Sequence, residues 1–154
     1  MANLPPFSVE EVINRGRQII ARGPTYSQSN RGNTMTSPQY DCSSFMGTIN
    51  GIYSVPATPS MVSVYTANGY KHLSYTGMGA LKKGDVLVWN KGGTSGEGNN
   101  GHTGMYIGNG QIMEMTGRGA GINSFYATFK NGESWQDVLR NPNRGIFLIR
   151  WENR

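Results

Sequence analysis

Only one of the 154 residues is a cysteine. A lone thiol excludes an intrachain disulfide and a four-thiolate metal centre, and no other grouping of residues calls for a metal or a cofactor. Charge is also scarce, at 15% of residues with a net value of +5. The lysines and arginines are scattered without a dense run, and no aromatic-and-basic recognition motif accompanies them. A solvated basic surface is therefore expected, and nucleic acid is not a partner. No apolar run approaches the roughly 20 residues that cross a bilayer, so no membrane partner is expected. The opening MANLPPFSVEE lacks a basic segment followed by an apolar one, so no signal peptide is read there. Glycine, by contrast, is abundant, with 22 copies. That composition suits a loop-rich domain of short strands and excludes a helical bundle or a disordered tail. One domain over residues 1–154 is expected, long enough to bury roughly 70% of its unfolded surface, and a monomer.

Along the chain, Phe7 to Ala21 reads as a helix. Ser8 is its N-cap, Glu11 the capping-box partner and Phe7 with Val12 the hydrophobic staple, and Gly23-Pro24 ends it. Thr25 to Gln39 is polar and turn-rich and reads as an ordered loop. A second helix is predicted after Asp41, because Phe45, Ile49, Ile52 and Tyr53 recur at the spacing of one helix face. Thr58 and Pro59 are placed as N-cap and first residue of a third helix carrying Met61, Val64 and Tyr65, closed by Asn68-Gly69. Strand patterns then follow over Lys71–Tyr75, Asp85–Trp89, Thr103–Ile107, Gln111–Met115, Gly121–Tyr126 and Ile146–Trp151. Asn109-Gly110 specifies a tight hairpin, since a type I′ turn needs positive φ at both central residues. Lys91 to Gly101 is a Gly-rich loop placed to border a cleft. Helices first and an antiparallel sheet after is the α+β pattern.

Asp41 is the natural N-cap of the second helix, which puts Cys42 in its first turn. Unpaired backbone N–H groups and the positive end of the helix dipole both favour a thiolate there, so Cys42 reads as a nucleophile. The alternative is a small buried hydrophobe. A nucleophilic cysteine needs a base, and the base a polar group to orient it. Of the two histidines, His72 falls on an edge strand with nothing chemical nearby. His102 opens a buried strand, where a side chain can face a cleft from a rigid support. It is the better base, although residue types alone do not establish that it meets Cys42. On a hairpin turning at Asn109-Gly110, Glu114 returns close to His102. It is the candidate orienter, with an ordinary surface carboxylate as the alternative.

The three blocks YDCSSFM around Cys42, LKKGDVLVW, and GHTGMYIGNGQIME resemble, in order and spacing, the signature of the NlpC-type cysteine peptidases of bacterial cell walls. Within that superfamily they are most similar to phage lysin catalytic domains of the pneumococcal phage amidase type. The likeness runs from Tyr26 to Glu114. It implies a papain-like fold, with helices packed on a central antiparallel sheet and Cys42 at a helix N-terminus. It also implies that Cys42, His102 and the residue at position 114 form the catalytic set, and that Tyr26, Asp41, Ser43 and Trp89 contact substrate. Glu114 departs from the pattern, because most such relatives carry His there, while the related CHAP hydrolases use Glu. A carboxylate holds an imidazolium more firmly than a neutral His does.

The function so implied is hydrolysis of an amide bond of bacterial peptidoglycan through a Cys42 thioester. The bond is either a D-glutamyl or D-glutaminyl linkage (endopeptidase) or the N-acetylmuramoyl-L-alanine linkage (amidase). Anionic wall polymers are a further partner compatible with the positive charge. A phage lysin made in the host cytoplasm and acting on the wall is the implied setting. Two other classes fit the same residues: a wall-binding module without activity, and an acyltransferase that passes the acyl group to an acceptor other than water.

Overall fold

The computed structural model describes residues 7–53, 57–90, 101–130, 132–141 and 145–151. Most of the predicted Gly-rich loop, residues 91–100, lies outside them. The first helix, α1, spans Val9–Arg22 and starts as its sequence dictates: Ser8 accepts from the Glu11 backbone N–H while the Glu11 carboxylate accepts from the Ser8 N–H. Gly23 ends it in the left-handed region at φ 70°. Gly16 faces the sheet, where a Cβ would lie 2.1 Å from the Met113 sulfur. That close approach accounts for a glycine inside a helix, a position that otherwise costs about 1 kcal/mol relative to alanine.

The polar stretch that follows is more ordered than a loop. Thr25–Tyr26 (β1) and Gln39–Tyr40 (β2) pair in parallel, with Tyr26 opposite Tyr40. The next helix, α2, runs Cys42–Asn50, and every residue of it is buried. Thr58 is not the N-cap of the third helix: Thr58–Ser60 form a 3₁₀ turn without a side-chain cap, and α3 runs Met61–Ala67. Thr58 instead packs beneath Gly101, where a Cβ would lie 2.4 Å from its hydroxyl.

All six predicted strands form one antiparallel sheet. They are β3 (Lys71–Leu73), β4 (Val86–Asn90), β5 (Gly101–Gly108), β6 (Gln111–Thr116), β7 (Gly119–Ser124) and β10 (Ile146–Arg150), in the order β3-β10-β4-β5-β6-β7. The β5–β6 turn has φ 55° at Asn109 and 69° at Gly110, as the dipeptide specified. Both faces are covered, which explains the unbroken burial of Val86 to Asn90. Val86, Val88, Met105, Met113 and Met115 face α1 to α3. On the other face, Leu87, Trp89, Ile112 and Leu148 pack against Phe125, Phe129, Trp135, Val138 and Leu139. That second layer was not predicted. It is built from Phe125, the short pair β8 (Thr128–Lys130) and β9 (Glu133–Ser134), and the helix α4 (Trp135–Leu139), whose N-cap Ser134 forms a reciprocal box with Asp137. Among the described residues no helix is long and apolar enough to cross a membrane.

Candidate active site

The N-terminus of α2 is fixed by Asp41, whose Oδ1 accepts the Ser44 backbone N–H at 2.8 Å while the Ser44 hydroxyl accepts the Asp41 N–H at 2.9 Å. This reciprocal cap sets Cys42 as the first helical residue. Its side chain is nearly covered, at 7% exposure. The β1–β2 ladder ends on Tyr40, next to the cap, and so brings Tyr26 to the same place. Partial burial, and then the charge on Cys42, push the Tyr26 hydroxyl up to about 12. Tyr26, Gln28, His102, Thr116 and Phe129 line a cleft of about 550 Å³.

His102 is the second residue of β5, where it pairs with Trp89 of β4. Its imidazole is 4% exposed and bonds on two sides. Nε2 lies 2.8 Å from Glu114 Oε1, and a hydrogen bond links the ring to Cys42. With Nε2 taken, Nδ1 is the nitrogen left for sulfur. Burial pushes the imidazole's pKa down, but the hydrogen bonds and negative charges of Cys42 and Glu114 outweigh it and raise it to about 9. The ring also stacks on Phe129, with centroids 4.4 Å apart and planes 16° apart, an arrangement that favours a cation over a π face.

Glu114 is fully buried, and its two oxygens are occupied by donors from three directions. Oε1 accepts from His102 and, at 2.9 Å, from the indole N–H of Trp135; Oε2 accepts from the Asn123 amide at 3.0 Å. An isolated buried carboxylate is costly, and this donor set compensates it. Gly104 makes the diagonal reach possible. It sits opposite Glu114 in the ladder, and a Cβ on it would lie 2.6 Å from Ile112 Cγ2 and 3.3 Å from Glu114 Cβ. Gly104→Ala is therefore expected to destabilise the domain by about 1–3 kcal/mol through overpacking. Displacement of Glu114 should also weaken its hold on His102 in the protein that remains folded. Denaturant unfolding and NMR of the His102 ring protons measure the two effects separately.

The structure thus brings Cys42, His102, Glu114, Tyr26, Asp41 and Ser43 to one end of the sheet. Trp89, expected as a substrate contact, is interior at 3% exposure, edge-on to Phe129 at 5.6 Å. Its bulk supports the His102–Phe129 stack. His72 is exposed on the edge strand β3, beside Phe147. Trp135, Asn123, Phe129 and Arg31 were missed in the sequence. The pattern Ser134-Trp135-Gln136-Asp137 carries a capping box and could have revealed α4, but nothing local ties Trp135 to Glu114.

The model of the NlpC/P60 family matches residues 27–142. No curated protein matches the chain. Among solved structures, an NlpC/P60 family protein from Bacillus cereus ATCC 10987 aligns with TM-score 0.58 and 22% identity, over 86% of this chain and 40% of that protein. This chain therefore spans less than half the length of that relative. The NlpC/p60 domain of the peptidoglycan hydrolase SagA aligns with TM-score 0.50 and 17% identity, over 77% of this chain and 90% of that one. At these identities the likeness concerns the fold, a papain-like arrangement of helices on a central antiparallel sheet. With three quarters of its length under the family match, the chain belongs to the NlpC/P60 family.

Proposed function

We propose that this chain is a cysteine-dependent peptidoglycan hydrolase of the phage endolysin kind, with Cys42 as nucleophile, His102 as general base and acid, and Glu114 as the residue that orients His102. The observation that carries the reading is the buried imidazole hydrogen-bonded to Cys42 on one side and to Glu114 on the other. A merely structural histidine has no need of a thiol and a carboxylate at its two nitrogens.

In the reaction, sulfur attacks the amide carbonyl carbon of a wall peptide. The oxyanion that forms is met by the Cys42 backbone N–H, one of the first-turn amides without an acceptor inside the helix. His102 delivers its proton to the amide nitrogen, the C–N bond breaks, and the amine leaves a thioester on Cys42. Water then attacks the thioester carbonyl while His102 takes its proton, and the C–S bond breaks to release the acid. Tyr26, Asp41 and Ser43 border the nucleophile and are the proposed substrate-side residues. The bond is an endopeptidase's D-glutamyl or D-glutaminyl linkage or an amidase's muramoyl-L-alanine linkage. Mass spectrometry of chemically defined wall digested by the intact chain tests the reading. New amine and acid termini at one of these bonds are the expected result. Binding without product would favour a wall-binding module, and conjugates to an added amine would favour an acyltransferase.

A further inference from the structure

Exposed large apolar side chains are few in this protein. Among the described residues they are Tyr53, Met78 and Tyr126, and the last two meet at one cavity. It measures about 420 Å³ and lies at the Asn109-Gly110 turn. That is the opposite end of β5 from His102 and, at about 3.3 Å of rise per residue, roughly 20 Å away. Phe125 forms part of the wall. Its ring stacks on Tyr106, with centroids 5.5 Å apart and planes 24° apart. Its backbone N–H donates to the Gly110 carbonyl and its carbonyl accepts from the Gln136 N–H, each at 2.9 Å, which ties the hairpin turn to the start of α4. The Ala127 N–H donates to the Ser124 carbonyl at 3.1 Å and closes a turn with Phe125 and Tyr126 at its centre. Tyr126 is therefore carried outward on a fixed support, at 72% exposure.

The rest of the lining is polar and uncharged. Asn109, Gln111, Ser124 and Gln136 contribute three carboxamides and a hydroxyl, and Gln111 stands opposite Ser124 in the β6–β7 ladder. Among the described residues none of these four side chains has a hydrogen-bond partner, and no charged side chain joins the lining. Each of the four can both donate and accept. An anionic polymer would find no cation here, and a stem peptide would have its carboxylates stripped of water without a countercharge. A purely apolar protein contact would leave the carboxamides unpaired. The ligand that matches is neutral, with one apolar face and a rim of hydroxyl and amide groups. A pyranose presents such a face of C–H groups to an aromatic ring and hydroxyls at its edge, and an acetamido substituent adds the amide that carboxamides pair with.

We propose that this cavity is a non-catalytic saccharide site for an uncharged N-acetylated sugar, with Tyr126 as the stacking platform and Gln111 and Gln136 as the hydrogen-bonding edge. That the sugar belongs to the wall glycan rests on the hydrolase reading above, and a glycan held there would keep its own peptide stems close to Cys42. The test uses the full chain and chitotriose, a trimer of N-acetylglucosamine without a stem peptide, so that binding is read independently of cleavage. Followed by NMR, the titration should saturate in the millimolar range. It should shift the side-chain amides of Gln111 and Gln136 and the Tyr126 ring while leaving His102 unmoved. Tyr126→Ala should weaken binding at least about tenfold, and Tyr126→Phe, which keeps the ring, by no more than about twofold. Gln136→Ala should weaken it about threefold to tenfold. Cellotriose, with similar ring faces and no acetamido groups, should bind at least about threefold more weakly than chitotriose. The absence of saturation, shifts confined to the Cys42 cleft, parent affinity in Tyr126→Ala, or equal binding of cellotriose overturns the proposal. So does self-association that Tyr126→Ala abolishes and chitotriose leaves untouched, which would make the cavity a contact between copies of the chain. Wall cleavage without chitotriose binding removes this site alone, whereas chitotriose binding without wall cleavage removes the hydrolase reading and leaves the saccharide site standing.

Discussion

Replacing Cys42 by alanine is expected to lower the rate of wall hydrolysis by about a thousandfold or more, with the fold intact. The side chain removed is small and almost enclosed, so the structural cost is that of one buried sulfur. The chemical cost is the whole thioester route. The same variant should change His102. Burial still pushes that imidazole's pKa down and Glu114 still pushes it up, but the hydrogen bond and charge from Cys42 are gone. Its titration, followed by NMR of the ring protons, should therefore fall from about 9 toward more acidic pH. A stability signature follows with a definite sign. The folded value of about 9 lies above the ordinary 6.5, so the native state holds more protons than the unfolded one between those limits. The contribution is fully present below pH 6.5 and is lost as pH rises through 9. Unfolding free energy should decline across that window in the parent and decline less in the variant. Undiminished lysis would take Cys42 out of the mechanism, and an unmoved His102 titration would break the pairing.

The elements that present Cys42, His102 and Glu114 were legible because each is fixed by local chemistry. A box formed by Asp41 and Ser44 sets where α2 begins, and Asn109-Gly110 sets the hairpin register that returns Glu114 beside β5. The alternation along Val86-Leu87-Val88-Trp89 was readable only as a strand. Both of its faces are apolar, and nothing in the run says what lies on each. One face took the predicted helices, and the other took the segment from Phe125 to Leu139, whose strands are two and three residues long and whose helix has five. Elements that short carry no periodicity, and their stability comes from burying Phe129 and Trp135 against the sheet.

The same limit explains the site residues that were missed. Trp135 lies 21 positions from Glu114 and donates to it only because α4 folds back over β6. Arg31 lies in a polar stretch that read as loop, and its meeting with Asp41 depends on the β1–β2 ladder, a pairing too short to leave a pattern. Trp89 illustrates the converse. Family likeness marked it as a surface for substrate, whereas the second layer covers it and turns it into support for the His102–Phe129 stack.

That second layer gives Glu114→Gln its expected effect, a fall in kcat of about a hundredfold to ten-thousandfold with KM little changed, because the role proposed for this fully buried carboxylate is to orient His102 without contacting substrate. Glutamine is nearly the same size, so the cause would not be a cavity. Its amide has one acceptor atom where the carboxylate has two. If the oxygen keeps His102 and Trp135, the new NH₂ group faces the Asn123 NH₂ donor, now at 3.0 Å from Oε2; if the amide flips, it faces the indole N–H and the imidazolium instead. Either choice leaves a buried donor unpaired. The lost negative charge also removes one of the two influences that hold His102 up at about 9, so the basic limb of the pH–rate profile should move to lower pH. Trp135→Phe keeps the ring against His102 and deletes only the N–H, so it should shift that limb in the same direction by less, with a smaller loss of kcat. A buried carboxylate with a purely structural role would lower stability in both variants without moving the limb. An unshifted profile with parent turnover in Glu114→Gln would therefore reduce Glu114 from orienting residue to part of the core.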